Sequence, residues 1–260
     1  MSYYLIILSG IMLGLPFLIP KLAILAWVGL VPFLKGLEDK SWQQSFKLGW
    51  VFGLTFLIIS SKWLLQPIIK FSGYPLTISV LIFLICAAIL ALYFALLTII
   101  LNFLKKHFEI SLLILVPLAW TGIEFLRSIY SFQFLFGFLG YTQSFIPELI
   151  QLAQVGGVYL VTFIIVLVNT IFYLAVKEDK KRKSIIYTLT AVLIIGVVFI
   201  YGHWQLNQKL AIKDNFRAGI IQPNIPQDKK LDSNYYRQLE KKLVKLSETE
   251  IKSNNPGLLL

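Results

Sequence analysis

Charge is what this chain has least of. Of its 260 residues only 14% are Asp, Glu, Lys or Arg, where a soluble globular domain carries roughly 25%. That scarcity excludes an ordinary soluble enzyme. It also excludes a disordered chain, which is held open by charge and has few aromatics. Cysteine is nearly absent: Cys86 stands alone, so neither an internal disulfide nor a multi-thiolate metal site can form from it. It lies in Leu84-Ile85-Cys86-Ala87-Ala88 with no His or Lys beside it, which reads as an inert thiol in the core of a span. The two histidines, His107 and His203, stand at the ends of apolar runs. No glycine-rich phosphate loop, metal-ligand cluster or nucleophile–base pair is visible, so no cofactor and no metal are implied.

What is present in excess is apolar residues, 57% of the chain, with 15% aromatic. A membrane span takes roughly 20 mostly apolar residues. Seven runs qualify, at about 3–19, 21–34, 47–65, 76–104, 110–127, 150–176 and 185–203. The expected fold class is therefore a polytopic α-helical membrane protein. Pro16 and Pro20 make a hairpin-like break between the first two runs, and the fourth is long enough to tilt. Met1-Ser2-Tyr3-Tyr4 has no basic leader, so the first run reads as retained rather than cleaved.

The net charge of +11 invites a nucleic-acid partner, but its placement argues otherwise. Lys35, Lys40, Lys47, Lys105, Lys106, Lys177, Lys180, Lys181, Arg182 and Lys183 fall in three alternate loops. The other side has only Lys21, Lys62, Lys70 and Arg127. By the positive-inside rule the richer side is cytoplasmic, with the amino terminus, and everything after about residue 203 is extracytoplasmic. The charge is a topology signal, and no nucleic acid is expected.

Residues 204–260 change character, with ten Lys/Arg and six Asp/Glu. Residues 204–215 read as a linker. Phe216-Arg217-Ala218-Gly219-Ile220-Ile221 reads as a strand, and Pro223 and Pro226 end it. Asp232 or Ser233 can cap a helix to about Ile251, with Tyr236, Leu239, Leu243 and Leu246 on one face. Asn254-Asn255-Pro256-Gly257 reads as a turn, and Leu258-Leu259-Leu260 as a second strand. This is the opening β-α-β of an α/β domain over 216–260. One helix and two strands bury too little to fold alone, so the expectation is the front part of something longer, left by a fragment boundary, a nonsense change or a split gene.

Two features stand out inside the apolar part. Glu124 and Arg127 share a helix face in the fifth run. Ionisable residues there mark a functional site, or else Arg127 snorkels to the outer surface with Glu124 neutralising it. Residues 128–147 carry no charge and are rich in Phe, Tyr and Gly, which places them at the outer interface or dipping into the membrane, as a lipid-handling surface or as helix packing. Gln151, Asn169 and the Gly156-Gly157 pair read as polar and close-packing helix contacts.

Taken in order, Trp120-x-x-x-Glu124-x-x-Arg127, Gly137-x-x-Gly140-Tyr141-x-Gln143, Pro147, Gln151, Gly156-Gly157-Val158-Tyr159 and Val168-Asn169 resemble the bacterial apolipoprotein N-acyltransferases. Ile221-Gln222-Pro223-Asn224-Ile225-Pro226-Gln227 is similar to the first strand and loop of that family's nitrilase-like domain. The resemblance implies transfer of an acyl chain from a membrane phospholipid to the amino terminus of a lipidated apolipoprotein, in the bacterial inner membrane. It implies a Glu-Lys-Cys set in the nitrilase-like domain working through a cysteine thioester. None of those three residues can be placed here, because Leu258-Leu259-Leu260 matches the approach to the glutamate and goes no further. The chain is thus expected to be inactive alone, and a second chain could supply the rest. Trp120, Glu124, Arg127, Gly140, Tyr141, Gln143, Gln151, Asn169, Gln222, Asn224 and Gln227 are the substrate-binding or structural candidates. Lys230-Leu231 departs from the family's usual Lys-Trp. A non-catalytic scaffold or degenerate paralogue predicts the same missing residues, and a small transporter would need a polar path that these runs barely offer.

Overall fold

The computed structural model of the protein describes residues 2–129, 136–208, 218–226, 229, 235–254 and 258–259. They belong to two compact units, Met1–Gln208 and Lys209–Leu260.

The first unit is a helical bundle. Helix α1 (Ser2–Leu18) leads into a 3₁₀ segment (Pro20–Trp27) and the short α2 (Val31–Gly36). Next come α3 (Trp42–Ser60), α4 (Leu65–Ser72), α5 (Leu76–Leu90), α6 (Leu92–His107) and α7 (Leu112–Ile129). A 3₁₀ turn (Leu139–Gln143) precedes α8 (Pro147–Ile150), α9 (Ala153–Lys177) and α10 (Lys181–Leu206). Four helical runs are long and apolar enough to cross a bilayer: Leu76–His107, Leu112–Ile129, Ala153–Lys177 and Lys181–Leu206. Trp42–Ser60 with Lys62–Ser72, bent by 60°, makes a fifth, and α1 is a shorter apolar helix. The protein is a helical membrane protein. Helix α10 runs to Leu206, three residues into the stretch read as linker.

Small residues set the packing. A methyl group at Gly10 would lie 2.9 Å from Thr55 Cβ, and one at Gly14 2.8 Å from Ile59 Cβ, so α1 and α3 touch along their backbones. On α3's other side, a methyl at Gly49 would come within 2.4 Å of Thr98 Oγ1 and one at Gly53 within 2.7 Å of the Phe94 ring. Lipid is as apolar as a leucine side chain, so helices associate through such close approach rather than through expulsion of water. Phe52 then fills the centre, with its ring 4.4 Å from Phe33, 5.3 Å from Phe94 and 5.8 Å from Trp120.

The second apolar run is not one helix. Pro20 opens a 3₁₀ segment, and Pro32 starts a separate α2. The reason is local, since proline lacks the donor that a continuous helix needs. The two pieces nonetheless return along α1: Gly29 packs on Leu13, and Gly36 reaches Ile6 and the Ser2 carbonyl.

The basic loops meet at one end of the bundle. Asn102 Nδ2 donates to the Lys40 carbonyl at 2.7 Å, and Tyr173 Oη donates to Glu38 Oε1 at 2.6 Å. Lys177 Nζ lies 3.5 Å from the same carboxylate. The Tyr173 hydrogen bond holds the Glu38 carboxyl below its ordinary 4.5 against the effect of burial, and Lys177 adds to it. A depressed carboxyl contributes stability that is present above the unfolded value and lost as pH falls through the folded one. Wild type is therefore expected to melt above Glu38→Gln at neutral pH, by less than about 1 kcal/mol. That margin should shrink as the pH falls from about 4.5 through the lowered folded value, and be gone below it. Melting curves of both proteins across this range are the check, and a margin that does not change with pH would exclude the linkage.

Cys86 corrects an expectation. It is exposed on the bundle surface rather than in the core, because an apolar run cannot say whether a residue faces protein or lipid.

In the second unit β1 (Ala218–Gly219) pairs in parallel with β2 (Leu258–Leu259), and helix α11 (Tyr236–Asn254) lies between them in sequence. The β-α-β order read from the sequence is therefore present. The helix extends three residues further than expected, and Asn254 belongs to it rather than to a turn. Phe216, Arg217, Lys230, Leu231, Asp232, Ser233, residues 255–257 and Leu260 lie outside the described residues.

Candidate functional site

Helix α7 carries two ionisable residues on its inner face, Glu124 and Arg127, each only 1% exposed. That burial overturns the snorkelling alternative for Arg127. Trp120, one turn before Glu124, places its indole Nε1 to donate to Glu124 Oε1 at 3.0 Å. The same oxygen accepts from the Leu139 backbone N–H at 2.9 Å. Oε2 accepts from Thr162 Oγ1 of α9 at 2.7 Å, and that hydroxyl in turn accepts from the Gly140 N–H at 2.9 Å. Arg127 Nη2 donates to the Phe136 carbonyl. Its guanidinium lies 5.6 Å from the Phe94 ring centre and 5.3 Å from that of Phe138, within reach of cation–π attraction. Glu124 and Arg127 thus tie the segment after α7 to α6, α7 and α9.

Glycine permits this approach at two places. A methyl at Gly140 would stand 2.7 Å from the Val158 carbonyl oxygen. At Gly157, φ +63° and ψ −166° break α9 near its start, a conformation that is essentially glycine's alone. The Gly156-Gly157 pair is thus a break in the helix, with non-helical backbone at both residues, and the side chains nearest to it, Leu160 and Tyr159, belong to α9 itself.

A second set of buried polar groups serves the broken segment after α1. Asn169 Oδ1 accepts from the Leu30 N–H at 2.8 Å, while Nδ2 donates to the Ala26 carbonyl at 2.8 Å. Gln143 Oε1 accepts from Trp27 Nε1 at 3.1 Å, and Nε2 donates to the Ala23 carbonyl at 3.2 Å. Ser9 Oγ donates to the Gly29 carbonyl. A break in a helix frees backbone groups that have no water to turn to inside a bilayer, so side chains must take them up. Asn169, Gln143 and Thr142 are all buried.

Tyr141 behaves differently. It is exposed, stacked on Phe138 at 5.7 Å, and near it in sequence Phe145 is exposed as well. Gln151 lies outside both buried sets: its Nε2 donates to the Pro147 carbonyl, its Oε1 accepts from Gln154, and Gln154 accepts from Gln205. In the second unit Gln222 and Asn224 are exposed, Asn224 with φ +47°. Lys242 Nζ donates to the Pro223 carbonyl between them at 2.6 Å. Gln227 lies outside the described residues. Among the described residues no three His, Cys, Asp or Glu side chains converge as metal ligands would. Thr162, Trp27 and Ser9 were not among the sequence candidates, although Thr162 is one of few hydroxyls in its apolar run.

Comparison with known proteins bears on the same region. The profile of the apolipoprotein N-acyltransferase N-terminal domain matches residues 9–171. An apolipoprotein N-acyltransferase of Geobacter metallireducens is 30% identical over 243 residues, covering 91% of this chain and 46% of the relative. That of Pasteurella multocida is 30% identical over 245 residues, covering 91% and 45%. That of Rickettsia bellii is 26% identical over 238 residues, covering 86% and 44%. The chain spans a little under half the length of the curated relatives it matches.

Proposed function

Because the chain belongs to the apolipoprotein N-acyltransferase family, we propose that it is the membrane-embedded part of an enzyme acylating lipoproteins. The reaction would move a fatty acyl chain from a membrane phospholipid to the N-terminal amino group of a diacylglyceryl-cysteine apolipoprotein. The observation that carries this is the match over residues 9–171, which takes in the Glu124 clamp and the Asn169 and Gln143 bonds. In this reading the Glu-Lys-Cys set implied by the resemblance lies outside the matched residues 9–171. The relatives hold the matching region in one longer chain, which gives the second-chain arrangement no support.

In this reading the bundle of residues 1–203 crosses the bacterial inner membrane seven times. The returning segment Pro20–Gly36 counts as one crossing, and its contacts along α1 support that. The basic end is cytoplasmic, with the amino terminus. Residues after about 203 are extracytoplasmic, joined through 204–215 to a nitrilase-like domain beginning at 216. Trp120, Glu124, Arg127, Gly140, Gln143 and Asn169 frame the bundle. Tyr141 faces outward as a lipid contact, Gln151 ties the rim, and Gln222, Asn224 and Gln227 form the first loop of the catalytic domain.

The test is acyl transfer in detergent micelles, using phosphatidylethanolamine and a diacylated lipopeptide, with the product read as a mass increase of one acyl chain. A protein of the relatives' full length that carries these 260 residues is expected to acylate the lipopeptide, and the 260 residues alone are expected not to. Transfer by the 260 residues alone would overturn the placing of the chemistry. No transfer by the full-length protein, folded and in lipid, would overturn the function.

A further inference from the structure

The basic end of the bundle holds a cavity of about 700 Å³, within the size range of small-molecule pockets. It lies at the other end of α7 from the Glu124 clamp, since Leu112, Leu115 and Val116 of α7's opening turns line it. The last turns of α6 contribute Asn102, Lys105, Lys106 and His107, and the α2–α3 loop contributes Lys40. Leu37, Ile99 and Leu112, each partly accessible, give it an apolar wall. Trp42 and Phe103 also line it with exposed rings, as aromatic residues do at headgroup level. Two carboxylates are present, Glu38 and Asp39. Glu38 is engaged by Tyr173 and Lys177 and also feels Lys105, so Lys40, Lys105 and Lys106 outnumber the two carboxylates of the lining by one.

Cations beside an apolar wall, between helices at the basic end of a membrane bundle, suit a phosphate head with acyl chains attached. We propose that this cavity binds one anionic phospholipid. Its phosphate is held by Lys40, Lys105 and Lys106, and its chains run along Leu37, Ile99 and Leu112. The site is distinct from that of any acyl donor used at the far end, and it stands whether or not the proposed acyl transfer does. A soluble phosphate shares the head chemistry but would leave the apolar wall bare.

Native mass spectrometry of the full chain in a neutral detergent tests this with dioctanoyl-phosphatidylglycerol, dioctanoyl-phosphatidylethanolamine and inorganic phosphate. One phosphatidylglycerol per chain is expected, bound more tightly than the ethanolamine lipid and not displaced by millimolar phosphate. Lys105→Ala/Lys106→Ala is expected to weaken it about thirtyfold, and Lys40→Ala, on another element, about fivefold. Lys181→Ala/Arg182→Ala, basic residues that do not line the cavity, should leave the affinity unchanged. Equal binding of the two lipids, displacement by phosphate, or an equal loss in the Lys181/Arg182 variant would each overturn the proposal.

Discussion

Replacing Glu124 with alanine is expected to lower the melting temperature of the detergent-purified protein by on the order of 10 °C. Three donors, from Trp120, Leu139 and Thr162, converge on this one buried carboxylate. Removing an acceptor leaves each buried donor at a cost of about 1–3 kcal/mol. Thr162 can turn its hydroxyl elsewhere, so a total of about 3–5 kcal/mol is reasonable. In a unit of this size each kcal/mol moves the melting temperature by roughly 2–4 °C. Glu124→Gln separates the clamp from its charge. Its single oxygen can keep the Trp120 and Leu139 bonds, while its NH₂ donates to Thr162 Oγ1. It should therefore recover at least half of the loss. If glutamine is as damaging as alanine, charge rather than hydrogen bonding holds the segment after α7.

Asn169→Leu ranks second. The substitution keeps the branching at Cγ and leaves no cavity, but leucine is larger than asparagine, so some overpacking adds to the polar loss at this fully buried position. It strands the Leu30 N–H and the Ala26 carbonyl, both buried with Asn169 as their side-chain partner. The expected cost is about 2–5 kcal/mol, with opening of the broken segment rather than global loss. With Cys86 replaced by alanine, a cysteine at Ala26, which is fully buried, should stay unreactive toward maleimide in the parent. It should become reactive in the Asn169→Leu protein. Equal protection in both would mean that the break is held by packing alone.

The helices were legible because length and apolar content define a span. The runs at 76–104, 110–127, 150–176 and 185–203 each hold a helical run long enough to cross a bilayer, and 3–19 holds a shorter apolar helix. The β-α-β order of the tail was legible for the same kind of reason, since Pro223 and the α11 face punctuate it. The run at 21–34 was legible as apolar but not as 3₁₀, because the two helix types share one composition. Glu124 and Arg127 were visible as anomalies, yet their burial depends on Phe136, Leu139 and Thr162, which no spacing along α7 encodes. Cys86 was misplaced because lipid and protein interior select the same residues. Gly10-x-x-x-Gly14 and Gly49-x-x-x-Gly53 carry a readable signal for the α1–α3–α6 contact.

The broken segment after α1 also bears on the order in which the chain can be assembled. Leu30 and Ala26 find their partner 139 and 143 residues later, and Trp27 finds Gln143 116 residues later. At about 5–20 residues per second, a ribosome needs roughly 10–30 s to deliver Asn169 after Leu30 has emerged. Through that interval the Leu30 N–H and the Ala26 carbonyl lack the side chain that takes them up in the folded bundle. If Pro20–Gly36 is a crossing, as proposed, it would wait at the interface until α9 arrives. The amino-terminal hairpin is made first and finished among the last.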